Sequence, residues 1–466
     1  MEIESTSLIH RDGAKIPRYW WAAIGTYMGS MGIGTAIAYS STALPGMKQP
    51  SSQLLLTSTS LQSWFASILA LSALFGGIFA GQSIEKFGRR LTLMLISVPF
   101  IAGWLLIAYS TRVDVLLAGR VLTGFASGCC TLACNIYISE IVPTSRRGLI
   151  GSGFQLFVAV GIVISYIVGN YVSWPWHAVI ATIYPLGMLA IIGALHETPT
   201  WLSNNGRHDA AIASYVFFRS THPESAPIIM KDESTQSDGC LNTFSSYKNP
   251  SIYKPFLLCM FLMFAQQFSG INAVTFYTVD IFHSSGSTID DNLATILIGL
   301  IQTVATLIGC ILTDRLGRRI LLFISGIIMG LALFILTLYY YLSSSQGTSF
   351  SQSFGWMPLV ALAIYTSAFA LGYGPLPWLL MSELLPNQVK GSASGIATAF
   401  NWFCCFIVAK EFVPFEDLVG KAGTFGTFGA ICIFSAFILG WKLPETKGKS
   451  LEEIQRIFSS SYEPKI

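Results

Sequence analysis

The chain has 466 residues, of which 52% are hydrophobic and only 11% are charged. Soluble domains carry about 25% charged residues, so this composition is that of a membrane protein with little soluble mass. A net charge of +3 is too small for a nucleic-acid-binding surface. The six histidines and nine cysteines form no metal-ligand or nucleophile pattern, which argues against an enzyme and implies no cofactor.

Residues 1–18 are polar and do not read as a signal peptide. Within them Glu4, Leu8 and Ile9 fit the acidic dileucine pattern that sorting adaptors read. Apolar stretches of about 20 residues, the length that crosses a bilayer core, then fall near 19–45, 60–83, 91–110, 115–139, 149–171 and 176–195. Six more fall near 255–283, 292–313, 320–342, 355–384, 391–411 and 422–442. An even number of spans puts both termini on one face. With that face in the cytosol, only Lys48, Arg112, Lys410 and Lys421 lie outside and Arg120 lies within a span, and all other Lys and Arg lie inside. The expected organisation is a cytoplasmic N-terminal segment (1–18), a six-helix half (19–196) and a cytoplasmic linker with short helices (197–254). A second six-helix half (255–443) and a cytoplasmic tail (444–466) complete it.

The seventh span carries QQFSGINAVTFY at 266–277 within a stretch that has no charge between Lys254 and Asp280. Unpartnered amides cost about 2–7 kcal/mol away from water, so Gln266, Gln267 and Asn272 need partners or a ligand. On a straight helix Asn272 points away from the two glutamines. A break at Ser269-Gly270 would turn all three toward one cavity, and interrupted helices commonly build transporter sites. Amides that merely bridge neighbouring helices would look the same in sequence. In the tenth span Gly374-Pro375-Leu376-Pro377 removes backbone donors and predicts a kink, either a mobile one or a static one.

The two halves repeat. Glu85 to Arg90, ending Gly-Arg-Arg, recurs as Asp314 to Arg319; Ser139-Glu140 with Pro143 and Gly148 recurs as Ser382-Glu383 with Pro386 and Gly391; Glu197-Thr198 recurs as Glu445-Thr446. Arg89, Arg90, Glu140, Arg147 and Glu197 in one half, and Arg318, Arg319, Glu383, Lys390 and Glu445 in the other, are therefore expected at the cytoplasmic helix ends. Salt bridges between the halves there would close an inner gate when the cavity faces outward, and break when it faces inward.

This pattern resembles the sugar porter family of the major facilitator superfamily, over nearly the whole chain. The likeness is to its insect trehalose-transporter-like and animal facilitative glucose-transporter branch. It rests on Gly88-Arg89-Arg90, Gly119-Arg120, Ser139-Glu140, Gln155-Leu156, Glu197-Thr198-Pro199, QQFSGINA at 266–273, Asp314 to Arg319, Gly374 to Trp378 with Glu383, Asn401-Trp402 and Pro444 to Gly448. The resemblance implies an all-α fold of twelve transmembrane helices in two pseudo-symmetric halves. It also implies a central sugar site at Gln155, Gln266, Gln267, Asn272, Gln302, Trp378, Asn401 and Trp402, with Gly374, Pro375 and Pro377 as a mobile gate element. Amides can donate to and accept from sugar hydroxyls, and an indole covers the apolar face of a pyranose. Ala370, Gln302, Lys390, His196 and Thr200 depart from the family pattern, which puts the sugar preference in doubt.

In proton-coupled members the residue matching Arg120 faces an aspartate in the first span. Here no Asp or Glu lies between Tyr19 and Met47, and Ala36 stands near that position. The expectation is downhill uniport of a hexose or trehalose at the plasma membrane, with an endosomal or lysosomal membrane as the alternative. The competing readings are a proton-coupled symporter and a non-transporting sugar sensor.

Overall fold

The computed structural model describes residues 17–50, 52–56, 58–219, 249–285, 290–346, 350, 353–386, 389–447, 449 and 451–459. In the first half, five passes are continuous helices: α1 (Tyr19–Met47), α2 (Thr59–Phe87), α3 (Arg89–Ala108), α4 (Val113–Ile141) and α5 (Thr144–Tyr171). The sixth pass is made of α6 (Trp174–Ala181) and α7 (Ile183–Gly193), which meet at Thr182. This break was not anticipated; Pro185 supplies its cause by withholding a donor from the Ala181 carbonyl. Two short helices follow, α8 (Pro199–Asn204) and α9 (His208–Arg219).

The second half begins with the seventh pass, α10 (Pro250–Phe268) and α11 (Ile271–Ser285). α12 (Asp291–Leu316) and α13 (Arg318–Gln346) come next, then the tenth pass as α14 (Met357–Leu371) and α15 (Leu376–Leu384). α16 (Lys390–Lys442) runs for 53 residues and makes two passes, turned at Gly420 where φ is +74°. α17 (Leu451–Ser459) closes the described chain. Among the described residues, ten helices are long and apolar enough to cross a membrane. One of them is the two-pass α16, and α1, 29 residues long, adds the twelfth pass. The fold is all-α and built of two six-pass halves, as expected. Both ends of the described chain, α8 and α9 lie on one face, called the linker face below.

Lipid is as apolar as the helix surfaces, so helix association depends on close packing rather than on hydrophobic burial. Small residues supply it reciprocally. A Cβ on Gly34 of α1 would lie 2.0 Å from the Val158 carbonyl oxygen of α5, and one on Gly161 of α5 would lie 2.3 Å from that of Met31. Gly76 of α2 meets the Phe125 carbonyl, and Gly128 of α4 meets that of Ala73, in the same way.

Most of the polar contacts between the halves lie at the face opposite the linker; nearer the linker, the Cys310 thiol lies 3.9 Å from the Ser152 carbonyl. At the opposite face, Lys48 pairs with Asp280 at 2.9 Å. The Ser63 hydroxyl donates to the Lys410 carbonyl at 2.7 Å, that of Tyr166 to the Thr275 carbonyl at 3.2 Å, and the Val279 N–H to the Ser41 hydroxyl at 3.2 Å. α1, α2 and α5 are thereby tied to α11 and α16 at one end of the molecule.

Candidate functional site

The seventh pass breaks where its sequence implied. α10 stops at Phe268, Gly270 adopts φ +90°, and α11 starts at Ile271. A Cβ at Gly270 would also lie 2.7 Å from the Phe428 ring, so backbone conformation and space both require glycine. The break brings Gln266, Gln267 and Asn272 together and adds Asn401 from α16. The Gln267 amide N–H donates to Asn401 Oδ1 at 2.9 Å, Asn401 Nδ2 donates to Gln266 Oε1 at 2.8 Å, and Asn272 Nδ2 donates to Gln267 Oε1. Gln266 Nε2 reaches the Tyr373 and Gly374 carbonyls at 2.8 and 2.9 Å, on the broken tenth pass. Gln266, Gln267 and Asn401 are buried and Asn272 is half-buried.

The other expected site residues stand apart from this cluster. Gln155 on α5 and Trp378 on α15 are half-buried, and Gln302 on α12 is buried. Among the described residues no hydrogen bond joins any of them to the four amides. Trp402, next to Asn401, is buried with its indole N–H unpartnered. The tenth pass is interrupted across Gly372 to Pro375, with Pro375 and Pro377 at the start of α15.

At the linker face the described members of the repeated charged set pair within their own halves; the bridge between halves is expected only with the cavity facing outward, and this conformation, joined at the opposite face, does not test it. Arg89 donates twice to Glu140 Oε1, at 3.1 and 2.7 Å, while the Glu197 carboxylate accepts from the backbone N–H groups of Arg89 and Arg90 at 2.9–3.1 Å. In the second half Arg318 pairs with Glu383 at 3.0 Å, and Glu445 accepts from the N–H groups of Arg318 and Arg319 at 3.0 and 3.1 Å. Thr446 adds a hydroxyl to Glu383 at 2.6 Å.

The physical reason is helix capping. The N–H groups that open α3 and α13 have no partners within their helices, and a carboxylate from the end of the same half satisfies them. Gly88 and Gly317, at φ +88° and +89°, make the turn; a Cβ on either would lie within 3 Å of the capping carboxylate. Burial works against the charge of Glu445, but the N–H groups of Lys447, Arg318, Arg319 and Thr446 outweigh it and hold the carboxyl below the usual glutamate value. The second arginines pair with backbone too: Arg90 donates to the Ile192 and Gly193 carbonyls, and Arg319 to that of Gly440. The side chains of Arg147 and Lys390, and residues Glu4, Leu8 and Ile9, lie outside the described residues.

The family model for sugar (and other) transporters matches residues 23–458. The chain belongs to that family. The transporter is 40% identical to the facilitated trehalose transporter Tret1 of Polypedilum vanderplanki over 440 residues, 93% of this chain and 87% of the relative. It is 40% identical to Tret1 of Aedes aegypti over 439 residues, spanning only about half (54%) of that relative's length. Among solved structures it matches the proton:xylose symporter XylE bound to 6-bromo-6-deoxy-D-glucose at 23% identity and TM-score 0.78, covering 94% of this chain and 99% of that one. An inward-open form of XylE from E. coli matches at 22% identity and TM-score 0.77, covering 94% and 100%. At that identity the likeness establishes the fold.

The interior of the transporter's first half was less legible in sequence. Arg120 does not snorkel to a helix end; it is fully buried. Its Nε donates to the Phe65 carbonyl at 3.1 Å and its Nη1 to that of Ala36 at 2.8 Å, and its guanidinium lies 4.8 Å from the Phe65 ring centre. Its Nη2 has no partner. The backbone of Ala36 thus takes the place of an acid. His177 is buried too, with Nε2 3.3 Å from the Ser165 hydroxyl and its ring against Tyr39.

Proposed function

We propose that this transporter carries a neutral sugar, a hexose or trehalose, down its gradient by alternating access. The observation that carries this reading is the set of amides converging where the seventh and tenth passes are both broken. Such a site offers donors and acceptors to hydroxyls without any fixed charge. Gln267, Asn272 and Asn401 contact the sugar, Gln155 and Gln302 flank it, and the Trp378 and Trp402 indoles cover its apolar face. The name of the Tret1 relatives supports trehalose as the first sugar to test.

Arg120 supports uniport over proton symport. Its described hydrogen-bond partners are backbone carbonyls, which do not titrate, so no proton uptake at that position can be linked to opening. The distribution of Lys and Arg supports a cytosolic linker face, with the plasma membrane as the first location to test and an endosomal or lysosomal membrane as the alternative. The polar contacts at the opposite face then make this conformation one closed to the outside.

The test is steady-state accumulation of labelled trehalose and glucose in proteoliposomes under an imposed inward proton gradient. Uniport yields an accumulation ratio of one. A ratio well above one that collapses with ionophore would overturn uniport, and binding without flux would leave the sensor reading in its place.

A further inference from the structure

The cluster contains an asymmetry that the binding reading alone does not explain. Gln266 is the most fully committed of the four amides. Its nitrogen faces two carbonyl oxygens, of Tyr373 and Gly374, which only accept. No flipped orientation of that amide makes these bonds, so its direction follows from chemistry.

The Tyr373 carbonyl is available because of the sequence. Four residues on stands Pro377, which has no N–H to close the helical bond. Tyr373 is itself anchored, its hydroxyl 2.9 Å from that of Ser435 on α16.

The direction then propagates. With its N–H groups spent on the break, Gln266 presents Oε1 to Asn401, which must donate at 2.8 Å. Asn401 therefore presents Oδ1 to Gln267, which must donate at 2.9 Å. Gln267 in turn presents Oε1 to Asn272, which must donate. The chain ends at the Asn272 carbonyl, on the most accessible of the four residues.

We infer that Gln266 is a positioning residue. Its amide ties the break of the tenth pass to the amide cluster and fixes the direction in which all four amides donate. The end of the relay at Asn272 is thereby held as a hydrogen-bond acceptor, selecting a ligand hydroxyl that donates. This rests on the sugar-site reading for its ligand, but its physical core, the tie between Gln266 and the orphan carbonyl above Pro377, does not.

A double-mutant cycle tests it. Thermal unfolding of detergent-solubilised protein without sugar is measured for wild type, Gln266→Met, Pro377→Ala and the double variant, together with KM for labelled trehalose in proteoliposomes. Pro377→Ala restores a backbone N–H that can close on the Tyr373 carbonyl. Gln266→Met is expected to lower the melting temperature by several degrees, and Pro377→Ala to suppress at least half of that loss.

KM is expected to behave differently. Gln266→Met raises it roughly tenfold, the effect of removing one buried hydrogen bond and the direction it sets, and Pro377→Ala does not restore it, because Asn401 Nδ2 is left with only the weak Met263 Sδ acceptor at 3.4 Å. If Gln266→Met does not fold, folding of the double variant is the same result; failure of both overturns the tie. An equal melting loss from Gln266→Met with and without Pro377→Ala also overturns it, and recovery of KM together with stability overturns the directional relay. The melting cycle needs no ligand, so it stands or falls separately from the sugar reading: absence of trehalose uptake by wild type would sink that reading and leave the cycle intact.

Discussion

The two halves share a backbone plan and a set of helix caps, yet their interiors are filled in opposite ways. The second half concentrates Gln266, Gln267, Asn272 and Asn401 around two broken passes. The first half holds Arg120 between backbone carbonyls and aromatic rings, with His177 against Tyr39 and Ser165. One interior is made of neutral groups whose partners a ligand can exchange. The other is a brace, in which a cation is bound to main chain. What repeats between the halves is what ends helices, while their polar interiors differ.

The sharpest way to break that comparison is to remove amides from each side. Gln267→Ala and Asn401→Ala are expected to cut initial uptake of labelled sugar at least tenfold, since each loss strands a buried partner at about 1–3 kcal/mol. Gln155→Ala, the first-half counterpart, should cost only a few-fold. Equal losses from the two halves would defeat the division of labour.

Next in size is the brace. Arg120→Ala leaves the Ala36 and Phe65 carbonyls unpaired in the core, about 1–3 kcal/mol for each. It is expected to lower folded yield and melting temperature while the surviving protein keeps wild-type KM. A selective rise in KM would mean that the first half contributes to binding through Arg120.

The caps come third. Glu383→Gln and Glu140→Gln are expected to lower stability by about 1 kcal/mol or more, since the pairs are largely buried, without changing distances between spin labels placed on opposite halves. A widened distance between halves would support the inner-gate reading. Glu445 adds a pH signature. Its carboxyl is held below the usual glutamate value, so its contribution is complete above the unfolded value, about 4.3, and is lost as pH falls through the lower folded one. The acid limb of the melting curve should therefore flatten in Glu445→Gln.

Smaller still is the opposite face. The Lys48–Asp280 pair is partly exposed, with side-chain exposures of 39% and 36%, and such pairs contribute about 0–1 kcal/mol. Asp280→Asn should shift labelling of an introduced cysteine at that face by no more than a few-fold, less in high salt. The smallest expected effect is none: a proton ionophore leaves the accumulation ratio unchanged, because the brace contains no acid beside Arg120.

Much of this was legible from residues. The break at Ser269-Gly270 followed from three amides in an uncharged span, and the twelve passes from apolar runs of the right length. The destination of Glu140, Glu197, Glu383 and Glu445 was not. Charge at repeated helix ends reads equally as a bridge between halves or a cap within one, and only the positive φ of Gly88 and Gly317, which lets a carboxylate approach the backbone, selects the cap in this conformation. Asn401 as the residue linking the two glutamines lies 134 positions from Gln267, a distance no local pattern spans. The break at Thr182 rested on one proline, Pro185, whose register relative to its neighbours sequence does not reveal.

The polar contacts that gather at a single face have a consequence for the rhythm of turnover. Lys48–Asp280, Ser63–Lys410 and Tyr166–Thr275 join the halves directly, so opening at that face must part all three, and an empty carrier does so with no ligand contacts to offset the loss. A loaded carrier meets the same contacts with binding energy in hand. Return of the empty form is then the slow leg of the cycle, and sugar waiting on the far side should accelerate efflux: exchange outpaces net flux.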